Sequence, residues 1–331
     1  MSASCFNQFV LSSPCRVALP IAVYPGLALT GASVRDVVTR PDAQLAAQVA
    51  LHQRYQTPFV LSAMDLSAEA EAFGCELQLS DNEIPCVVGR LVTSLDQARK
   101  LTVPKPGDRR TNVYLETVRR LKTLPAKPLV FGGCIGPFSL AARLVGVSEA
   151  MELTLNEPEL IHTALEKSTS FLTEYALAFR DAGADGLVMA EPAAGLLSPR
   201  GLAEFSSAYI KRIAARIAGD SFALVLHNCA ARLVHLPAIL ETGLTSFHFG
   251  APMDLAAALA KVPREVVLCG NLDPAGVFCQ LPPGEVTSRA SALLAATRAY
   301  PNYVLSSGCD LPPSASLASL DAFYGALKQG S

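Results

Sequence analysis

The chain has 331 residues, half of them hydrophobic and 17% charged, with a net charge of −2. That balance allows a large core and excludes the basic footprint of a nucleic-acid-binding protein. The longest uncharged stretch near the N-terminus, Val17 to Val34, contains Pro20, Pro25, Gly26 and Gly31 and lacks a basic n-region, so it reads as strand and loop, not as a signal peptide or membrane span. Nine cysteines at irregular spacing in so long a chain point to a reduced, cytoplasmic protein with some functional thiols, not to a secreted disulfide framework.

Short apolar runs alternate with longer helical patterns along the whole chain. A strand at Val17–Val23 is followed by a helix at Asp42–Tyr55, after Pro41, and by a strand at Pro58–Ala63. Alternation on either side of Ser80-Asp81-Asn82, within Gly74–Gly89, predicts a β-hairpin inserted after this second strand. A third strand, Pro128–Gly133, precedes a long helix at Glu157–Arg180, with Asn156 as N-cap and Pro158 in the first turn. The alternation continues through strand Gly186–Ala190, helix Pro199–Ala218, strand Phe222–His227 and helix Val234–Glu241. Strand Thr245–Phe249, helix Asp254–Ala260, strand Val266–Gly270, helix Glu285–Ala299 and strand Tyr303–Ser307 complete it, and Gln329-Gly330-Ser331 reads as a frayed end. Each strand is nearly continuous in apolar residues, as expected of parallel strands covered on both faces.

This pattern predicts one α/β domain over residues 1–331, a (β/α)8 TIM barrel. An open doubly wound sheet is the alternative, but the dinucleotide fingerprint is missing. The polar residues strengthen the barrel reading, because they gather where strands end. Asp65 follows the second strand, Cys134 the third and Glu191 the fourth. His227 and Cys229 end the fifth, His248 lies in the sixth, Asn271 and Asp273 follow the seventh, and Cys309 and Asp310 the eighth. Barrel enzymes build their sites at this face.

His227 and Cys229 stand at i and i+2, which in an extended segment puts both side chains on one side. With the distant thiol of Cys309 they form a donor set suited to zinc, whose catalytic sites take three protein ligands and keep a fourth position open. The competing reading is a satisfied core histidine with two inert thiols. Glu191 reads as a fourth ligand, a base near the thiol, or an ion-pair partner for Arg200. His248 reads as a ligand, a donor behind a ligand, a substrate contact or a buried structural histidine. Asp65 either meets substrate or caps the following helix, and Asn271 and Asp273 either orient site groups or form a turn. Gly132, Gly133 and Gly136 leave backbone N–H groups free for an anion, or allow close packing.

Together these motifs resemble the uroporphyrinogen decarboxylase superfamily, and within it the corrinoid:coenzyme M methyltransferase branch. The matching stretches are Met64-Asp65-Leu66, Glu69 through Glu76, Gly136 through Ala141, Ala190-Glu191-Pro192, Leu226 through Cys229, Gly270 through Pro274, and Ser307 through Pro313. The His-x-Cys pair and the distant Cys are similar to the zinc motif of that branch and separate it from the decarboxylases, which need no metal. The decarboxylases also carry an N-terminal Arg-rich segment that grips substrate carboxylates, whereas here Leu19 through Gly26 has no such Arg pair. The resemblance implies a zinc ion on His227, Cys229 and Cys309 and a methyl group passed from a methylated corrinoid to a small-molecule thiol, coenzyme M or another acceptor. No corrinoid-binding motif is visible, so a partner protein would supply the methylcorrinoid in trans. A metal-free decarboxylase, transfer to or from a folate, and a non-catalytic docking module for a corrinoid carrier are the alternatives.

Overall fold

The computed structural model describes residues 5–217 and 221–329; Ala218, the predicted end of one helix, and Gly330-Ser331 lie outside the described residues. Among the described residues there are nine strands: β1 Phe59–Leu61, β2 Glu76–Gln78, β3 Cys86–Val88, β4 Leu129–Ile135, β5 Gly186–Ala190, β6 Ala223–Asn228, β7 Ser246–Phe249, β8 Val267–Leu272 and β9 Tyr303–Ser307. Seven of them make one parallel sheet in the order β1-β4-β5-β6-β7-β8-β9, and β2 pairs antiparallel with β3 as the expected hairpin, Glu76 opposite Val88. Sequential order in a parallel sheet, with a helical crossover between most neighbours, curls the sheet into a TIM-barrel-like fold.

The predicted first strand is corrected. Val17–Val23 forms only an isolated bridge, Ala18 to Leu305, although Leu19 N still donates to Leu305 O and Leu305 N to Val17 O. Pro20 has no N–H to continue a ladder, and the chain turns into a helical segment at Tyr24. The segment therefore runs alongside β9 as an extended ribbon. Asn156 is also corrected: it ends the helix Val147–Asn156, and Glu157 occupies the N-cap of the long helix Pro158–Asp181. The predicted helix at 199–218 contains a wider π turn at Ala203–Ser207.

Two apolar layers follow from strand parity. Phe59, Leu61, Phe131, Val188, Ala190, Ala223, Val225, Val267, Cys269 and Val304 face inward and pack together. The alternate residues, among them Val60, Val130, Leu187, Leu224, Phe247 and Leu305, face the helices. The helix Cys5–Ser12 closes the end where the strands begin, packing Phe6 and Val10 into the inner layer. Asn7 Nδ2 donates to Thr245 O and Glu265 O, both at 2.9 Å, so the plug is tied to the starts of β7 and β8. The opposite end stays open to polar groups. Among the described residues no helix is long and apolar enough to cross a membrane, and all nine cysteines are free.

Candidate metal centre

Parity carries directly into the site. Ala223 and Val225 face inward on β6, so His227 does too, and Cys229 follows one step beyond the strand. Cys309 reaches the same place from the end of β9. One ligand-capable atom from each of His227, Cys229 and Cys309 lies within 4.8 Å of the other two. Two glycines make this approach possible. A Cβ on Gly250 would sit 2.0 Å from Cys229 O, and one on Gly308 would sit 2.9 Å from Ala251 N.

The donor chemistry fits a zinc ion. His227 is 1% exposed, yet its Nε2 has no hydrogen-bond partner. A buried ring nitrogen without a partner costs about 1–3 kcal/mol, so its placement beside two thiols calls for a further ligand. The Cys309 thiol, as donor to it, holds the Cys229 thiol below its ordinary range against the opposing effect of burial. Cys309 is pushed up as the donor of the pair. Thiolate, the form that binds metal, is therefore favoured at Cys229.

Behind the trio, His227 Nδ1 lies 2.8 Å from His248 Nδ1, and His248 Nε2 lies 2.7 Å from Ser306 Oγ. Both His248 nitrogens are thus engaged within the protein, and burial followed by the neighbouring His227 pushes this imidazole well below its usual range. His248 buttresses His227; its ring does not face the open side.

Asp65 is buried at the mouth and fully engaged. Its Oδ1 accepts from Ser67 N and Ser67 Oγ, and its Oδ2 from Arg110 Nη1 and from Tyr114 Oη at 3.1 Å. The sequence reading missed Arg110. Its signal was a cation at the N-cap of the helix Thr111–Leu121, where the helix dipole disfavours positive charge unless a carboxylate is at hand. Tyr24 Oη and both carboxylate oxygens of Asp310 are buried without a partner near this cluster.

Glu191 points the other way. Ala190 faces inward, so the next residue turns to the helix layer. There it accepts from Phe138 N (2.9 Å), Ser139 N (2.8 Å), Ser139 Oγ (2.6 Å) and Ser206 Oγ (3.1 Å). It caps the helix Pro137–Val145 from outside, with Ser206 supplied by the π turn. The free base or fourth ligand expected at Glu191 gives way to this role, because both oxygens are already occupied. The glycines before it settle on close packing: a Cβ on Gly132 would meet Phe179 at 2.5 Å, one on Gly133 Met64 at 2.5 Å, and one on Gly136 Glu191 Cγ at 2.3 Å. Asn271 Nδ2 donates to Gly250 O and Met253 O, holding the loop beside Cys229. Asp273 Oδ1 accepts from Ala275 N and Gly276 N in an exposed turn. Asn271 and Asp273 therefore shape the rim.

A family profile described as "Uroporphyrinogen decarboxylase (URO-D)" matches residues 22–330. The chain belongs to this family. Among its relatives is the methylcobamide:CoM methyltransferase MtbA of Methanosarcina acetivorans, 28% identical over 260 residues, or 76% of this chain and 75% of that protein. The uroporphyrinogen decarboxylase of Psychromonas ingrahamii is 28% identical over 302 residues, 86% of this chain and 83% of that protein. A solved methyltransferase structure from Methanosarcina mazei superposes with a TM-score of 0.86 at 23% identity, covering 97% of this chain and 96% of that one. The fold is thus shared end to end, and the similarity to the MtbA proteins bears out the expected resemblance to the corrinoid:coenzyme M methyltransferase branch.

Proposed function

We propose that this family member is a zinc-dependent methyltransferase that moves a methyl group from a methylated corrinoid protein to a small-molecule thiol, coenzyme M or a similar acceptor. The observation that carries the reading is the inward cluster of His227, Cys229 and Cys309 with an unpartnered buried Nε2. These three residues would hold the zinc ion, which when bound lowers the pKa of a coordinating thiol and leaves it as thiolate at neutral pH. The acceptor sulfur attacks the methyl carbon of methyl-Co(III); the S–C bond forms as the Co–C bond breaks, the electron pair stays on cobalt as Co(I), and the thiol proton leaves to solvent. No electron is exchanged with the protein, so no redox group is required.

The remaining residues support that chemistry from around the mouth. Asp65 holds Arg110 and Tyr114 in place at the rim. Glu191 fixes the helix Pro137–Val145, and Asn271 and Asp273 shape the loops beyond β8. The methylcorrinoid arrives in trans, docked on the open face by its carrier protein.

The test is metal content and methyl transfer in the same preparation. Wild type is expected to hold about one zinc per chain and to demethylate methylcobalamin with a thiol, followed by the cobalamin spectrum. His227→Ala should lose both. A folded, reconstituted wild type with no zinc and no transfer, but with turnover of uroporphyrinogen, would hand the site to the decarboxylase reading instead.

A further inference from the structure

The hydrogen bonds behind His227 run in one direction. The Leu19 carbonyl can only accept, so the Ser306 hydroxyl spends its proton there. Ser306 Oγ is then left to accept from His248 Nε2, 2.7 Å away. His248 is buried with no carboxylate on either nitrogen, so it is neutral and carries a single N–H. That N–H is committed to Ser306, which makes His248 Nδ1 an acceptor. The proton between the two Nδ1 atoms therefore belongs to His227. A neutral His227 protonated at Nδ1 has its lone pair at Nε2, the ring atom left without a partner on a residue clustered with both thiols.

We infer that His248 and Ser306, anchored on the Leu19 carbonyl, are positioning residues that lock His227 in the Nδ1–H tautomer and keep its Nε2 open to a metal ion. The inference rests on the metal reading of the trio. It also gives the irregular first segment a function: Leu19 is held against β9 through Leu19 N to Leu305 O and Leu305 N to Val17 O, so the extended ribbon presents the terminal acceptor of the relay. Without Ser306, His248 can place its proton on Nδ1. His227 would then accept at Nδ1 and carry its N–H on Nε2, blocking the ligand position. Partners that orient a ligating histidine in this way change metal affinity by about 10–100-fold.

Two readouts separate the relay from the metal site. In the metal-free full chain, 15N shifts of the five histidines report the tautomers directly, and His227 is expected as Nδ1–H; finding it as Nε2–H overturns the relay whatever the metal result. Zinc affinity is then measured by competition with a chromogenic chelator, and geometry by the absorption bands of the Co(II)-loaded protein. His248→Gln keeps both bonds, since its amide N–H can donate to Ser306 while its oxygen accepts from His227, and it should bind within a few-fold of wild type. His248→Phe and Ser306→Ala should each weaken binding by about 10–100-fold and alter the Co(II) spectrum, and Ser306→Thr should restore it. Equal affinity in wild type, His248→Phe and Ser306→Ala overturns the relay and leaves the metal site standing. A wild type that binds no metal while His227 is Nδ1–H overturns the metal reading and leaves the relay standing.

Discussion

Arg110 and Asp65, 45 residues apart in the chain, are joined by an ion pair inside the protein, Nη1 to Oδ2. The guanidinium also reaches Glu71 Oε2 at 2.7 Å and Ser67 Oγ at 3.1 Å, so one side chain satisfies two carboxylates and a hydroxyl. Removing it leaves the Asp65 carboxylate buried and short of a partner. Arg110→Met is expected to destabilise the fold by about 3–5 kcal/mol, the usual cost of an orphaned buried charge. Adding Asp65→Asn should recover part of that loss. Arg110→Lys should not substitute, because a point charge cannot span the same set of acceptors. Urea denaturation of the two single variants and the double variant measures the coupling; a loss below about 1 kcal/mol for Arg110→Met would place the pair among ordinary surface bridges.

Glu69 gives a pH signature. Its Oε1 accepts from Ile135 N at 3.0 Å, while its buried Oε2 has no partner. Burial pushes this carboxyl up to about 7 from its ordinary 4.5. The folded state therefore holds a proton that the unfolded state has released between those two values. Stability from this group is fully present below about 4.5 and is lost as pH rises towards 7, at up to about 1.4 kcal/mol per pH unit. Glu69→Gln mimics the protonated form, with an N–H2 in place of the acid proton. It should match wild type near pH 4.5 and exceed it by about 2–3 kcal/mol near pH 8. Parallel stability curves for the two proteins across that range would show that Glu69 does not titrate as the geometry requires.

Gly136 and Glu191 are fitted to each other, with no space for a methyl group between them. Gly136→Ala should cost about 1–3 kcal/mol through overpacking, and alanine is also the poorer N-cap for the helix that follows. Glu191→Gln keeps the shape but replaces one acceptor oxygen by a donor that faces either Ser139 or Phe138 N–H. A loss of about 1–3 kcal/mol is expected, with the helix Pro137–Val145 becoming less protected in hydrogen exchange. An unchanged exchange rate over residues 137–145 would remove Glu191 from the capping role.

The order of the strands was legible because each sheet strand is a short apolar run, and the donor trio was legible because His-x-Cys on a strand shares one side. Strand parity, read one residue further, also tells Glu191 apart from His227: the first follows inward Ala190 and turns outward, while the second continues Ala223 and Val225. What the sequence concealed was set by side chains meeting across long separations. Arg110 lies in no motif and is recruited to Asp65 by the packing of the helix Thr111–Leu121. Ser306 looks like strand filler until Leu19 is placed beside it. The first strand failed for a local reason, since Pro20 interrupts the donors that a ladder needs.

The metal reading predicts a linked stability change. An ion that binds the folded chain and not the unfolded one adds RT ln(1 + [L]/Kd), about 2.7 kcal/mol at a hundredfold excess over Kd. Wild type should therefore melt higher with zinc than after chelation, and refilling should restore both the melting temperature and methyl transfer. Cys309→Ala removes one thiol of the three-residue set from a half-buried position, so the metal-free fold should be little changed. Its melting temperature should stop responding to zinc, and transfer to thiols should fall to background. Cys279→Ala is the control: this thiol is exposed and belongs to no ligand cluster among the described residues, so its zinc response should equal that of wild type. If Cys309→Ala kept the zinc-dependent shift and full transfer, the third ligand would lie elsewhere, and the meeting of side chains from the ends of β6 and β9 would lose its chemical meaning.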